Sequence, residues 1–279
     1  MSFRNPTRVI AVVFDFAGTI VDYGSCAPLA AFQDVFAASG VPISAEIARG
    51  PMGKNKRDHI AEILSVPSVT TAWTKANGGM APGEKDIDTI YANFTPVQIS
   101  AARSRAAPIP GALEAIQALR SRGIKVGGNS GYNQEIMDAV VEEASKFGLV
   151  VDAIECAGPS NGRPKPWMST RVLEKLDCFP LSACIKVDDT LPGIIEGRNA
   201  GMWTVGVARS GNELGLTKAE ADELEAKQPK EYAERMQRAE ARFKEAGAHF
   251  VIDSVATIEQ VVNSIEKLMK EGKNPLSSF

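Results

Sequence analysis

The stretch Val9-Ile10-Ala11-Val12-Val13-Phe14-Asp15-Phe16-Ala17-Gly18-Thr19-Ile20 decides the fold, because an apolar run rich in β-branched residues ends in one carboxylate. A continuously apolar run of this kind is typical of a strand buried in a parallel sheet. Small residues follow Asp15, so it is predicted at the strand's carboxyl end, over the crevice where open α/β sheets bind ligands. There a carboxylate suits two roles, nucleophile toward phosphorus and ligand of a hard cation. The alternative is an aspartate that only caps the next turn.

The composition is that of an ordinary globular chain of 279 residues, with 44% hydrophobic residues and a formal net charge of -3. These charges form no broad basic field, so no nucleic-acid partner is expected, and a small anionic substrate needs a local group of cations. No signal peptide is evident in residues 1–8 and no apolar run is long enough for a membrane span. Four scattered cysteines indicate reduced thiols, and a cytoplasmic location is expected; they are Cys26, Cys156, Cys178 and Cys184.

The chain shows two successive patterns. In residues 25–104 apolar residues recur at helical spacing and no buried strand is evident, whereas from residue 105 onward helices alternate with short β-branched runs. We therefore predict an α/β fold, a doubly wound parallel sheet of the Rossmann type formed by residues 1–24 and 105–279. An α-helical cap domain, residues 25–104, interrupts it. A cap inserted after the first strand lies above the strand ends and can close over a ligand.

Four short segments are expected in loops on one edge of this sheet. Besides Asp15, Asn129-Ser130-Gly131-Tyr132 offers a hydroxyl and backbone N–H groups, Gly162-Arg163-Pro164-Lys165-Pro166 holds two cations, and Val187-Asp188-Asp189-Thr190 ends a strand in two carboxylates. A nucleophile, a hydroxyl, a cation and metal-binding acids together are typical of phosphoryl transfer. Taken singly, the last three have structural alternatives: a turn serine, a surface ion pair and a helix cap.

In this order the four segments resemble the motifs of the haloacid dehalogenase superfamily, whose first motif carries an aspartate nucleophile at the end of the first strand. The resemblance implies that role for Asp15. Most phosphatases of the superfamily have a second aspartate two residues on, which acts as general acid and base toward an oxygen leaving group. Here that position is Ala17. Either the leaving group needs no proton from that position, or the chain is catalytically impaired.

A segment of the cap distinguishes these options. Met52, Lys56 and His59 are spaced to share one face of a helix that is predicted from Met52 onward. Lys54, Arg57 and a nearby helix N-terminus give Lys56 a positive field, which is expected to lower its pKa and free its amine to form an iminium with an aldehyde. His59 could shuttle the protons. The alternatives are a solvated lysine, a structural histidine and a core methionine.

With this cap motif, nearly the whole chain resembles the phosphonatases, the phosphonoacetaldehyde hydrolase family. The similarity includes Asp15-Phe16-Ala17-Gly18-Thr19, Val21-Asp22-Tyr23-Gly24, Pro166-Trp167-Met168 and the run from Glu196 to Gly206. It implies phosphonate degradation, in which the carbon–phosphorus bond of phosphonoacetaldehyde is hydrolysed to acetaldehyde and phosphate. Generic members of the superfamily lack the lysine-bearing cap motif, so that motif is the specific one.

The resemblance also implies roles for individual residues. Lys56 would form a Schiff base with the aldehyde while Asp15 attacks phosphorus to give an aspartyl-phosphate. His59 and Met52 match positions associated with proton transfer and iminium chemistry. Mg²⁺ would be held by Asp15, the carbonyl of Ala17 and Asp189. The residues expected on the phosphoryl group are Ala17, Gly18, Ser130, Gly131, Tyr132 and Arg163. A homodimer through the cap is expected, because the family commonly forms one.

The fourth segment departs from the superfamily. Asp188 stands where a glycine is common, and Gly193 stands where a further acid is common, so Asp188 is expected to contribute to metal binding. Two other functions stay open. One is a capped phosphomonoesterase or phosphomutase of the same superfamily, which Ala17 and Lys56 disfavour. The other is a non-catalytic phosphate-binding protein.

Overall fold

A computed structural model describes residues 6–158 and 160–277. Residues 1–5, 278 and 279, at the two ends of the predicted core, lie outside the described residues. Residues 1–5 also begin the segment in which no signal peptide is expected. Among the residues described, no helix has both the length and the apolar character needed to cross a membrane.

The core is one six-stranded sheet in the order β3-β2-β1-β4-β5-β6, and every neighbouring pair is parallel. The predicted α/β class and parallel sheet are confirmed. The first strand lies in the middle, with Phe14 paired to Gly128 on one side and to Val187 on the other. The strands are β1 (Ala11–Phe14), β2 (Lys125–Ser130), β3 (Ala153–Cys156), β4 (Cys184–Asp188), β5 (Trp203–Val207) and β6 (Phe250–Ile252).

Helices after residue 105 connect and flank these strands. Their apolar faces are buried, as in the final helix, where the buried side chains include Ile258, Val262 and Ile265. They are α6 (Ala112–Ser121), α7 (Gln134–Ser145), α8 (Trp167–Lys175), α9 (Leu191–Asn199), α10 (Lys218–Lys227), α11 (Pro229–Glu245) and α12 (Ile258–Lys270), with short 3-10 turns at Leu181–Ala183 and Val255–Thr257.

From Cys26 to Arg105 the chain forms five helices and no strand, all within described residues. We call them the cap helices. The rings of Phe32 and Phe94 pack 4.5 Å apart, joining the first of these helices to the last. The division into a core and a cap at residues 24 and 105 stays a prediction. The cap helices are α1 (Cys26–Ala38), α2 (Ala45–Arg49), α3 (Lys56–Ser65), α4 (Pro67–Ala76) and α5 (Glu84–Arg105).

Two predicted boundaries were wrong. Helix α3 begins at Lys56 rather than Met52, because Gly53 has φ +91° and Asn55 caps the helix by accepting the Asp58 N–H at 2.9 Å. Met52 therefore lies in a turn, outside the helix. Strand β2 continues through Ser130, whereas a loop was predicted from residue 129.

Candidate active site

Asp15 lies directly after β1, at the centre of the sheet, as predicted from the sequence. Its backbone N–H donates to the Val187 carbonyl at 2.9 Å, and the residue is 5% exposed. The chain turns immediately, and the N–H of Gly18 donates to the Val21 carbonyl at 2.8 Å. That N–H is therefore engaged within the turn, and Gly18 is not among the described residues that line the cavity beside Asp15.

Asp15, Asp188 and Asp189 form a buried acidic cluster, with one carboxylate oxygen of each within 4.8 Å of the others. Burial and the charge of Asp188 raise the pKa of Asp15 to about 6, against the opposing charges of Arg163 and Lys186. Burial, Asp15 and Asp188 raise the pKa of Asp189 well above its usual value. A cation relieves such repulsion, and hard divalent cations prefer carboxylate oxygens. The cluster can therefore hold a metal ion.

Ser25 joins two groups of this cluster that the sequence predicts as metal ligands. Its hydroxyl Oγ lies 2.9 Å from Asp189 Oδ2 and 3.0 Å from the carbonyl oxygen of Ala17. The backbone N–H of Asn212 donates to the same Asp189 oxygen at 2.8 Å. Ser25 was not predicted as a functional residue. It holds both groups in place beside Asp15.

Arg163 is the cation nearest to Asp15. Its Nη2 lies 2.7 Å from Asp15 Oδ1 and its Nε lies 2.9 Å from Glu196 Oε2, with only 1% of the side chain exposed. A surface ion pair is thereby excluded for this residue. Lys165, the other cation of the same loop, is exposed and donates to the Ser160 carbonyl at 3.1 Å, outside this group.

Ser130 and Tyr132 approach Asp15 from the end of β2. The Tyr132 N–H donates to Ser130 Oγ at 3.2 Å, so this serine does serve a turn as well as line the cavity. Tyr132 is buried, and Gln98 of α5 donates to its hydroxyl at 3.3 Å. Burial holds the pKa of Tyr132 well above its usual value, so the phenol keeps its proton.

The cap segment before α3 touches two core loops at glycines. A Cβ atom on Gly131 would lie 2.6 Å from the carbonyl oxygen of Lys54 and 2.9 Å from that of Gly53. A Cβ atom on Gly53 would lie 2.2 Å from Thr190 Oγ1. Side chains at either position would push the cap away from the core. We call this contact the glycine seam.

Lys56 reaches the site from the first residue of α3. Its Nζ lies 5.0 Å from the centre of the Tyr132 ring and 5.4 Å from that of Phe32, and the residue is 5% exposed. Burial lowers the pKa of Lys56 to about 8; the charge of Asp15 opposes this shift and that of Arg163 adds to it. A fraction of the amine is therefore unprotonated and nucleophilic near neutral pH.

The part of the predicted cause of this pKa shift that concerned the flanking side chains was wrong, whereas Lys56 does lie at the N-terminus of a helix. Lys54 forms an ion pair with Glu62, and Arg57 pairs with two acids of α5, so the expected positive field of these two side chains is neutralised within the cap helices. Removal from water, rather than the flanking cations, lowers the pKa of Lys56.

Met52 and His59 lie on different sides of Lys56. Met52 is buried and lines the cavity. His59 is fully buried, packs its ring 3.9 Å from that of Phe32, and is not among the described residues lining the cavity. Its Nε2 must carry a proton because it lies 2.8 Å from the Ala48 carbonyl oxygen, which leaves Nδ1 as a lone pair without a partner. Burial, then the charge of Lys56, lowers the pKa of His59 well below its usual value.

Two cavities share Lys56 and Gly131 in their walls. The outer one lies between the cap helices and the loops after β2 and β3, with Tyr91 and Asn133 among its lining residues. The inner one brings most of the predicted site residues together. Its lining residues are Asp15, Ala17, Ser25, Pro28, Met52, Gly53, Lys56, Ser130, Gly131, Tyr132, Arg163 and Thr190.

Three buried polar side chains behind Arg163 were not predicted as functional: Asn129, Lys186 and Glu196. Asn129 Nδ2 donates to Glu196 Oε1 at 2.9 Å, and Lys186 Nζ donates to Asn129 Oδ1 at 2.5 Å. One signal was present in the sequence, because Lys186 interrupts the apolar run Ala183-Cys184-Ile185-Lys186-Val187 of a predicted buried strand. A lysine in such a strand needs a buried partner.

Comparison with known proteins places these features in a family. A model of the haloacid dehalogenase-like hydrolases matches residues 10–201. The chain is 46% identical to a phosphonoacetaldehyde hydrolase of Paraburkholderia phytofirmans over 269 residues, 96% of this chain and 99% of that one. It is 41% identical to a phosphonoacetaldehyde hydrolase of Pseudomonas fluorescens over the full length of both. The crystal structure of a phosphonoacetaldehyde hydrolase-like protein from Oleispira antarctica superposes with a TM-score of 0.93 at 39% identity, covering 99% of this chain and 98% of that one.

Proposed function

The chain belongs to the haloacid dehalogenase-like hydrolases and, within them, to the phosphonoacetaldehyde hydrolases, and we propose from this that it hydrolyses phosphonoacetaldehyde to acetaldehyde and phosphate. One observation carries the proposal: Lys56, a buried amine, and Asp15, a buried carboxylate, line the same inner cavity. The carboxylate suits attack on phosphorus, and the amine suits reaction with an aldehyde. A substrate that carries both groups uses the whole cavity.

Lys56 begins the reaction at the aldehyde carbon. Its unprotonated amine attacks the carbonyl, and uptake of one proton with loss of water leaves an iminium in which nitrogen carries the positive charge. The rings of Phe32 and Tyr132, 5.4 and 5.0 Å from Nζ, favour that cation. The iminium then acts as an electron sink for the neighbouring carbon, which is bonded to phosphorus.

Asp15 breaks the carbon–phosphorus bond. One of its carboxylate oxygens attacks phosphorus to form an aspartyl-phosphate, and the electron pair of the broken bond moves into the iminium to give an enamine on Lys56. Because nitrogen takes up that electron pair, the leaving carbon needs no proton at this moment. Ala17 is therefore sufficient at the position where phosphatases of the superfamily carry an acid, which disfavours the phosphomonoesterase alternative.

Two hydrolyses complete the cycle. Protonation of the enamine carbon gives an iminium, and water releases acetaldehyde from it and restores the amine of Lys56. Water also releases phosphate from Asp15. We assign the proton transfers to His59, because its Nδ1 holds a free lone pair, and we place Met52 against the iminium.

The phosphonate group is bound, in this proposal, by the core side of the cavity. Arg163 supplies the charge, Ser130 a hydroxyl, and the backbone at Ala17, Gly131 and Tyr132 completes the wall. We propose Mg²⁺ as the metal, held by Asp15, the Ala17 carbonyl and Asp189, an all-oxygen donor set that fits a hard cation. When bound, the ion would neutralise charge on the phosphonate oxygens.

The remaining assignments rest on less specific observations. We propose residues 1–24 and 105–279 as the catalytic core domain and residues 25–104 as the cap domain, since the described part of the latter is helical throughout its regular elements. A homodimer through the cap follows only from the family resemblance. A cytoplasmic location is supported by the four cysteines, which are all free thiols.

Reductive trapping tests the Schiff base. Phosphonoacetaldehyde with borohydride should add a reduced two-carbon or phosphonate-bearing adduct to Lys56 alone, located by peptide mass spectrometry. Lys56→Arg should abolish both the adduct and phosphate release, because the guanidinium is not nucleophilic. Lys54→Arg, two residues away in an exposed ion pair, is the matched control and should change neither. An unmodified Lys56 together with an active Lys56→Arg variant would show that the proposal is wrong.

A further inference from the structure

Lys186 is a fully buried lysine inside the central strand β4. Burying an ammonium group is costly unless it is paired and hydrogen-bonded. Its Nζ meets both requirements, lying 2.9 Å from Asp188 Oδ2 and 2.5 Å from Asn129 Oδ1, with Glu196 Oε2 at 3.9 Å. It does not line the inner cavity, so it acts on the reaction only through its partners.

Arg163 shares the same two acceptors. Its Nη2 lies 2.7 Å from Asn129 Oδ1 and 3.2 Å from Asp188 Oδ2, the same oxygen atoms that contact Lys186. Lys186, Asp188, Arg163 and Asn129 therefore form a closed ring of contacts. The same Nη2 is also the atom that contacts Asp15 at 2.7 Å. Movement of any member of the ring would move Arg163 relative to Asp15.

The backbone leaves space for Asp188 in this ring only because residue 193 is glycine. A Cβ atom on Gly193 would lie 2.0 Å from Asp188 Cγ and Oδ2. The other oxygen of Asp188 accepts from the N–H and the hydroxyl of Thr190, at 3.0 and 2.7 Å. Its carboxylate is thus engaged on both oxygens, by two cations on one and by Thr190 on the other.

We propose that Lys186 and Asp188 are a positioning pair: together with Asn129 they hold Arg163 against Asp15, and the charge of Lys186 balances the acidic cluster so that the same site accepts an anion as well as a cation. In this arrangement Asp188 is a partner of the two cations rather than a metal ligand. The inference rests on the proposed function only in that the site takes a phosphonate or phosphate group.

The charge-balancing role predicts effects of opposite sign on two ligands. Lys186→Met removes a positive charge next to four buried acids, so a divalent cation should bind more tightly and an anion less tightly. Asp188→Asn removes a negative charge, so the two effects should reverse. General damage to the site weakens both ligands in both variants.

Calorimetric titration with Mg²⁺ alone and with inorganic phosphate alone separates these cases. For Lys186→Met we expect Mg²⁺ to bind about threefold or more tightly and phosphate about tenfold less tightly, as expected for a unit charge at this range in a partly polar interior. The double variant Lys186→Met with Asp188→Asn should return both affinities toward those of the unchanged protein. Lys125→Met, at a lysine of β2 whose ammonium contacts the Leu176 carbonyl, is the control and should change neither.

Weakening of both ligands in Lys186→Met and in Asp188→Asn, or no change in either, would overturn the proposal. Folding of Lys186→Met is judged by its circular dichroism melting curve. If it does not fold, Asp188→Asn and the double variant test the proposal instead, because neither keeps the Asp188 carboxylate, which Lys186→Met leaves buried without its lysine partner. Adduct formation at Lys56 is measured separately. A failure here with trapping intact contradicts only the positioning pair, and a failure of trapping contradicts only the Schiff base.

Discussion

The two sides of the inner cavity differ in whether their buried charged groups have ion-pair partners. On the core side Asp15, Asp188 and Arg163 are buried but paired with one another, and against the cost of burial the charges of Arg163 and Lys186 lower the pKa of Asp188. On the cap side Lys56 is equally buried yet forms no ion pair with any described residue, and only two aromatic rings face its ammonium group. Pairing preserves charge for binding an anion, whereas burial without a partner weakens charge and makes a nucleophile.

The largest expected effect comes from Asp15→Asn, which disables the core side and leaves the cap side intact. Phosphate release should fall by at least about 10⁴-fold, because the amide cannot serve as the nucleophile. Phosphate binding should remain measurable by calorimetry, and reductive trapping of the aldehyde at Lys56 should persist.

Asp34→Asn, an exposed aspartate of α1, is the control for this variant and should retain full activity. Turnover of Asp15→Asn within about tenfold of the unchanged protein would remove Asp15 as the nucleophile. Loss of trapping together with turnover would show that the two sides do not act separately.

A second expected effect concerns the pH dependence of the cap side alone. Burial lowers the pKa of Lys56 to about 8, so the unprotonated fraction of its amine increases as pH rises through that value. Between pH 6 and pH 8 the initial rate of trapping with acetaldehyde and cyanoborohydride should rise by about fifty-fold and then level off. Lys54→Gln should give the same curve, because Lys54 is neutralised by Glu62. A midpoint near that of an exposed lysine would contradict the role given to burial.

The smallest expected effect tests the aromatic wall. Phe32→Leu keeps an apolar side chain beside Lys56 but removes one ring face, so imine formation should slow by about threefold to tenfold. Phe36→Leu, also fully buried on α1, should lose comparable stability in thermal unfolding without slowing trapping. Equal slowing in both variants would mean that packing, rather than the ring face, supports the amine.

The sheet and Asp15 were predictable because their signals are local. An apolar β-branched run that ends in a carboxylate indicates, within a dozen residues, a strand and the point where it ends. Helices that alternate with such runs indicate that the strands are parallel. Lys56 was different. Its sequence surroundings allowed either a reactive amine or a solvated helix lysine, and the resemblance to the phosphonatases was needed to choose between them.

What could not be predicted depends on contacts between distant parts of the chain. The start of α3 depends on the turn at Gly53, which packs closely against Thr190. The pKa of Lys56 depends on burial under Tyr132 and Phe32 rather than on its sequence neighbours. Lys186 was visible as a lysine in an apolar strand, but its partners Asn129 and Glu196 come from β2 and α9. No local pattern brings those elements together.

The glycine seam fixes how closely the cap can approach the core. At Gly131 the contact is between main-chain atoms of both parts, and no flexible side chain lies between them to yield under compression. Such a contact acts as a mechanical stop. The position of Lys56, two residues after Lys54, therefore depends on main-chain geometry rather than on the packing of side chains.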